Sequence, residues 1–465
     1  MPGTIYIGAM PKAGSGLQSA CSKAVTVNAS YYLSAGGSDV NDGLSPGAPW
    51  LSPNHAVNCG DVITAASSAA YSNWNFYTGS WGTVSCPAGN NVAWLKCATF
   101  DTCKITGAAG VQGMWVDQSY WGVQGWEIST PNGAFSTCFN AQPNFVTPVN
   151  LTHIIFANDV ANGCQGGGFV GAANGGAGAS IDYFAVVGNI AYNTAQSSSE
   201  CYSGIGLFEP IQFDGLAGTH IYFAGNLSYN NFNPDPCGGG PPVDGGGIIL
   251  DSLSGGATPA YTQQILVDNN LLIYNGGRGF SIGGTGNTSA PVYLRHNTVY
   301  GNNGDTNQNG IWCGEIDIMN ADLVQSFYDL AATSGPTGCG ANPVYAFYVA
   351  NGNGTDHFYN SWGYSASGTN NTSIGSPGFS YDPSDTFGTN PTLTGPADPG
   401  APNCGLFASA PACFVSVVAN FTPLTPAAVG YGYQTPSATA IHDSLFPQWL
   451  CNVNLPSGLV TMGCL

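Results

Sequence analysis

Short apolar runs recur along the chain, and asparagine and glycine mark the breaks between them. From Leu151 to Asn303 the sequence contains LTHIIFANDVANGC, IDYFAVVGNIAYNT, THIYFAGNLSYNN, QQILVDNNLLIYNGG and PVYLRHNTVYGNN. Each unit opens with β-branched and aromatic residues, such as Ile265-Leu266-Val267 or Val292-Tyr293-Leu294, and so predicts a strand. A Gly- or Asn-bearing corner follows, then a second short run such as Ala191-Tyr192 or Thr298-Val299-Tyr300. A third run is led by glycine: GIGLF at Gly204, GGGIILD at Gly245, GGRGFSI at Gly276 and NGIWCG at Asn309. None is long enough to form a helix core.

With Asn158, Asn189, Asn226, Asn270 and Asn297 as equivalent corners, the steps between units are 31, 37, 44 and 27 residues. Irregular steps around a constant three-run order describe a short coil with loops of variable length. Stacked coils bury one another's apolar faces, so the pattern predicts an all-β solenoid of three parallel sheets. Asparagine tolerates left-handed backbone and bonds locally, which suits it to stacked corners. A Gly-rich β-sandwich would account for the strands but not for their threefold order.

The same pass divides the chain into an N-terminal lead and cap (1–64), the solenoid (65–363) and a loop-rich C-terminal segment (364–465). Cys404, Cys413, Cys451 and Cys464 are placed to staple that last segment to the solenoid. Ile316, Met319, Leu323, Phe327 and Leu330 have helical spacing and predict a helical insertion near 316–332. Seven tryptophans precede residue 127, among them Trp74, Trp81, Trp115 and Trp126. An exposed aromatic stripe would stack on pyranose faces, while core packing must absorb some of these rings.

Charge narrows the partners. Six Lys plus Arg stand against 25 Asp plus Glu, a formal net charge of −19, so a nucleic-acid backbone would be repelled. Fifteen widely spaced cysteines lack the short paired repeats of a zinc site and point to disulfides in a secreted chain. Sequons at Asn28, Asn150, Asn226, Asn287, Asn353, Asn370, Asn371 and Asn420 agree with secretion, although Asn226 falls on a corner where it would be inaccessible. No run of 18 apolar residues predicts a membrane span, and the first twenty residues lack a signal-peptide pattern, as in a mature or truncated chain.

Tyr31–Ala48 (YYLSAGGSDVNDGLSPGA) with Gly60-Asp61-Val62-Ile63 resembles the opening of secreted right-handed parallel β-helix proteins of the pectate-lyase-like superfamily. DGGGIILDS, VDNNLLIYNGGRGFSI and LRHNTVYGN resemble their middle coils, and the likeness spans roughly residues 30–363. It implies a right-handed β-helix. It is less specific for activity, since members include uronate lyases, hydrolases, epimerases and adhesins.

Aligning the Gly-led runs collects candidate chemistry on one surface. Asp244 and Asp251 flank the Gly run, and Glu209, Asp214 and Asp268 stand in neighbouring units. Strands stack about 4.8 Å apart, so carboxylates distant in sequence can converge. Asp244, Asp251, Glu209 and Asp214 together would suit a hard cation such as calcium, whereas the plainer reading makes them solvated turn residues.

Only two arginines occur, Arg278 and Arg295, in consecutive coils. β-Elimination needs a base at the carbon α to a uronate carboxylate and a cation to hold the developing charge. In the resembling lyases a Lys or Arg is the base and calcium bridges to substrate. That implies Arg278, with His296 and Tyr274 as substitutes for base or acid, and Arg278→Ala is then expected to abolish elimination and leave the fold intact. The plainer reading pairs Arg278 with Asp251 or Asp244 as a loop tie.

The chain departs from the family pattern because no lysine follows Lys104. Hydrolysis would use paired carboxylates instead, for which Asp244, Asp251 and Glu209 are available. The leading expectation is a secreted protein acting on a polysaccharide or surface glycan, by calcium-assisted lysis of uronates. A glycoside hydrolase, a noncatalytic carbohydrate-binding or adhesive solenoid, and a self-associating structural protein stand as alternatives.

Overall fold

The computed structural model describes residues 4–7, 23–26, 28–87, 91–107, 111–129, 137–144, 150–173, 179–197, 201–234, 237, 243–254, 260–283, 290–305, 313–335, 343–350, 356–367, 372–374, 380–400, 404, 407–434 and 445–453. Three parallel sheets of twelve, eleven and nine strands wind as a right-handed β-helix, the all-β solenoid that the pattern predicts. One coil runs through Gln264–Asp268 in the first sheet, Leu271–Ile273 in the second and Phe280–Gly283 in the third. Ladder pairing extends from Ser30↔Val62 to Gly363↔Phe387.

The corner between the first and second sheets explains the asparagine repeat. Its first residue adopts left-handed backbone, at Asn158, Gly188, Gly225, Asn269, His296 and Tyr328, with φ between 53° and 66°. The next residue points inward and bonds to the coil beneath it. Asp159 N–H donates to Asn189 Oδ1 (2.8 Å), Asn189 N–H to Asn226 Oδ1 (2.9 Å), Asn226 N–H to Asn270 Oδ1 (3.0 Å), Asn270 N–H to Asn297 Oδ1 (3.0 Å) and Asn297 N–H to Asp329 Oδ1 (2.7 Å).

The first equivalent position is therefore Asp159 rather than Asn158. Each side-chain amide also donates to a backbone carbonyl, as Asn270 Nδ2 does to Phe223 (3.0 Å). A second ladder, Asn231–Asn275–Asn302, ends on Glu315 as the first ends on Asp329. A carboxyl fits the last rung because its oxygens accept the ladder bonds from Asn297 and Asn302.

Period-two alternation fills the interior. In the third sheet Phe169, Ile205, Ile248, Phe280, Ile316 and Phe347 stack in register, all buried. The C-terminal segment folds back over two of the three outer faces. Phe446, Trp449, Leu450 and Val453 join the apolar cluster on the first sheet. The helix Ala410–Asn420, capped by Ser409, contributes Phe414 to the cluster on the second.

The helix expected at 316–332 is absent. Gly314–Met319, Val324–Phe327 and Leu330–Ala332 are three strands, one in each sheet. Left-handed corners at Asn320 (φ 53°) and Tyr328 (φ 56°) join these strands, and the residues that fall three or four apart do not share a face: Ile316 is in the interior, Leu323 is exposed and Phe327 is half-buried.

Most of the early tryptophans are buried: Trp50, Trp81, Trp121 and Trp126 in the interior, Trp94 and Trp115 outside it, whereas Trp74 is 58% exposed. Asn226 lies inside the ladder, as expected for an unusable sequon, while Asn28, Asn150 and Asn420 are exposed. Asn287, Asn353, Asn370 and Asn371 lie outside the described residues.

Disulfides join Cys59–Cys86, Cys97–Cys103, Cys138–Cys164, Cys201–Cys237 and Cys404–Cys413, as in a secreted protein. Cys313 and Cys451 are also disulfide-bonded. Among the described residues no helix is long and apolar enough to cross a membrane.

Candidate active site on the third sheet

The outer face of the third sheet carries Asn140, Ser281, Asp317 and Tyr348 among apolar residues and glycine. One outward row runs Trp115, Asn140, Val170, Gly206, Ile249, Ser281, Asp317 and Tyr348, one residue per coil. Asp251 ends its strand in the adjacent outward row, in register with Phe208 and Gly283.

The glycines before this strand decide how closely the coils approach. Gly245 takes left-handed backbone (φ 77°). A Cβ on Gly246 would lie 2.5 Å from the Arg278 carbonyl oxygen, and one on Gly247 would lie 2.5 Å from that of Gly279. With no Cβ in the way, Gly247 N–H donates to Arg278 O (2.9 Å), which seats Asp244 beside the coil that carries Arg278.

Arg278 itself is buried. Its Nε donates to Asp317 Oδ2 (3.1 Å), and its Nη1 donates to the Val243 carbonyl. It therefore ties the coil before it to the coil after it. Burial pushes Asp317 up to about 6 in spite of the guanidinium, which acts to lower it. Burial also carries Asp244 up to about 6, helped by the charge of Asp251 and opposed by Arg278. Asp251 is raised by burial against hydrogen bonds from Ser252. Four groups thus share one electrostatic neighbourhood: Asp244, Asp251, Asp317 and Arg278.

The other sequence candidates fall elsewhere. Glu209 adjoins the site through its backbone, its N–H donating to Asp251 O (3.1 Å), but it leaves the strand in left-handed conformation (φ 48°), one position past the Asp251 row. Asp214 accepts from the Tyr183 hydroxyl (2.9 Å), a residue of the first sheet. His296 is a left-handed corner residue stacked on Tyr328 (5.1 Å), and burial lowers its pKa. Tyr274 is a corner residue of the second sheet packed on Phe421 of the C-terminal segment. Arg295 forms a two-point pair with Asp268 on the first sheet (3.0 and 2.8 Å), so the two arginines serve different faces.

Sequence reasoning missed Asp317, because the strand that carries it was read as helix. Strand alternation in EIDIM would have placed it outward. It also missed a stack on the first sheet, in which Tyr120, His153, Tyr183 and His220 lie ring on ring at 4.7, 4.5 and 4.0 Å. His220 Nδ1 and the Tyr261 hydroxyl both meet Asp182, and Trp449 packs over His153 and Tyr183. The four stacked rings are separated from one another by 30 or more positions and carry no local motif.

The proposed calcium ligands do not fit a cation cage. Asp214 is held by Tyr183, and among the described residues no three His, Cys, Asp or Glu side chains converge as metal ligands would.

No family model matches the sequence, and no curated protein matches it. Among solved structures the chain is similar to the pectate lyase Pel9A, with 17% identity, a TM-score of 0.50, and coverage of 78% of this chain and 80% of that one. Also similar are a GH136 lacto-N-biosidase from Eubacterium ramulus (10% identity, TM-score 0.37, 77% and 67% covered) and the A-module of the mannuronan C-5 epimerase AlgE6 from Azotobacter vinelandii (12%, 0.37, 70% and 89%). At these identities the shared property is the fold. The chain is a right-handed parallel β-helix, distantly similar in architecture to pectate-lyase-like proteins, with an acidic cluster on the outer face of one sheet.

Proposed function

We propose that this chain is a secreted glycan-active enzyme in which Asp244 and Asp251 move protons and Arg278 positions them. Of the two chemistries open from sequence, calcium-assisted elimination from uronates and hydrolysis by paired carboxylates, the geometry favours the second. Arg278 is engaged with Asp317 and a backbone carbonyl within the protein, so it acts as a positioning group rather than as a base at a substrate carbon.

The observation that carries the reading is the placing of Asp244 and Asp251 within electrostatic reach of each other on the outward side of one sheet, with Asp244 raised to about 6. Two carboxyls that resist joint ionisation retain one proton between them until the pH rises through about 6, where Asp244 ionises. The protonated carboxyl gives its proton to the leaving glycosidic oxygen as the C–O bond breaks. The ionised partner takes a proton from the water that supplies the new C–O bond. Likeness in fold to a pectate lyase is compatible with any glycan chemistry on this scaffold.

The test is a screen of neutral and acidic polysaccharides, with calcium or with chelator, read both as new reducing ends and as absorbance of unsaturated product. Hydrolysis is expected, falling as pH rises through about 6, where Asp244 loses its proton. Asp251→Asn and Asp244→Asn should each lower kcat at least about a hundredfold. Turnover unchanged in both variants, or unsaturated product alone, would overturn the assignment.

A further inference from the structure

We propose that the outer face of the third sheet binds a neutral polysaccharide and that Trp74 is the distal sugar platform on that face. This rests on the reading of the face as a glycan site and specifies its ligand.

Trp74 lies in the 3-10 turn Asn73–Phe76 and is 58% exposed, whereas the other described tryptophans are all buried. Its backbone is nonetheless fixed on both sides. Asn73 Nδ2 donates to Gln112 O (3.2 Å), and Phe76, fully buried, packs against Tyr71 and Trp126. Beyond the turn, Thr78 Oγ1 and Gly79 N–H both donate to Asp117 Oδ2 (2.7 Å each), and Ser80 Oγ donates to the Trp74 carbonyl (3.2 Å). An exposed indole on an anchored turn loses little freedom when a ligand stacks on it.

The turn also stands in line with the candidate site. Trp74 contacts Tyr77 edge-on (5.5 Å), and Tyr77 contacts Trp115 (5.2 Å), the residue that begins the outward row containing Ile249 and Ser281. Four coil steps separate the strand of Trp115 from the strand of Asp251. At about 4.8 Å per step the separation is about 19 Å, a span for an oligosaccharide of several residues and too long for a disaccharide.

Charge chooses the class of glycan. Asp244 and Asp251 are half-buried on this face, Asp117 and Asp317 are buried beneath it, and the side chain of Arg278 is directed to Asp317 and the Val243 carbonyl. The chain as a whole carries −19 with six basic residues, a field that opposes a polyuronate. A neutral pyranose matches the face better. Its hydroxyls donate to carboxylate and amide acceptors, and its apolar face covers the indole.

The experiment uses Asp251→Asn protein, so that binding is read without turnover, and adds Trp74→Ala or Trp74→Phe. Tryptophan fluorescence is titrated with disaccharides and hexasaccharides of xylan, mannan, β-glucan and galactan, and with polygalacturonate and alginate oligomers, each with calcium or chelator. A neutral hexasaccharide should bind, with affinity at least about tenfold weaker in Trp74→Ala, within about threefold in Trp74→Phe, and no Trp74 effect on the disaccharide.

Equal hexasaccharide affinity in Trp74→Ala, exclusive binding of uronates, or binding of no probe would overturn the proposal. Trp74-dependent binding by wild-type protein that turns nothing over would leave it standing and remove the enzymatic reading. Turnover that depends on Asp251, with affinity indifferent to Trp74, would do the reverse.

Discussion

Removing the Arg278 side chain separates a structural role from a catalytic one. Arg278 is 4% exposed and Asp317 is 1% exposed, and they pair at 3.1 Å across adjacent coils. Arg278→Ala leaves a buried carboxyl without its cation and the Val243 carbonyl without a donor, so the expected cost is about 3–5 kcal/mol, and the fold is not left untouched as the sequence reading supposed. Replacing both partners with apolar side chains, as in Arg278→Met/Asp317→Leu, should recover most of the loss, because no charge is then stranded.

A solenoid of this length need not unfold as one cooperative unit, so the assay is hydrogen exchange at the amides of strands 280–283 and 314–319. A cost of 3 kcal/mol predicts exchange roughly a hundredfold faster in Arg278→Ala. The sign of the pH dependence follows from Asp317, which is raised to about 6 even with Arg278 in place. Without the guanidinium its folded pKa is higher still, so the stability it contributes is present below its unfolded value and lost as pH rises through the folded one. The deficit of Arg278→Ala should therefore be smallest near pH 4 and greatest above pH 7. Exchange and denaturation midpoints matching wild type at pH 7 would refute the tie between coils.

Two further predictions concern the ladders. Asn270→Ala removes acceptor and donor together, stranding the Asn226 N–H and the Phe223 carbonyl, and should cost about 3–5 kcal/mol by urea denaturation, against about 1 kcal/mol or less for Asn390→Ala on the surface. Glu315 is held at about 8 by burial, against the hydrogen bonds from Asn302, so wild-type stability should decline as pH rises from about 4.5 through 8. Glu315→Gln should flatten that decline, and an identical pH profile in thermal melts would contradict the assignment.

The architecture was legible because its rules are local. Strand alternation, a left-handed residue at each corner and an Asn beside it repeat within single coils, and a reader of the chain can count them even when the spacing wanders. The misread helix at 316–332 shows the limit of that counting: apolar residues on different faces of three short strands and their corners at Asn320 and Tyr328 happen to fall three or four apart.

Only the folded stack decided which polar groups meet. Loop lengths set how many residues separate equivalent positions, and nothing near Arg278 in sequence announces that its partner is Asp317, two positions after the end of a ladder. The same stacking sent His296, Tyr274 and Arg295 to other faces, because a side chain's direction depends on its place in the coil while its neighbours depend on the coils above and below. Sequence alone therefore determined the repeating coil, and tertiary structure determined the site, since electrostatic contact acts through space over a few ångströms whatever the distance along the chain.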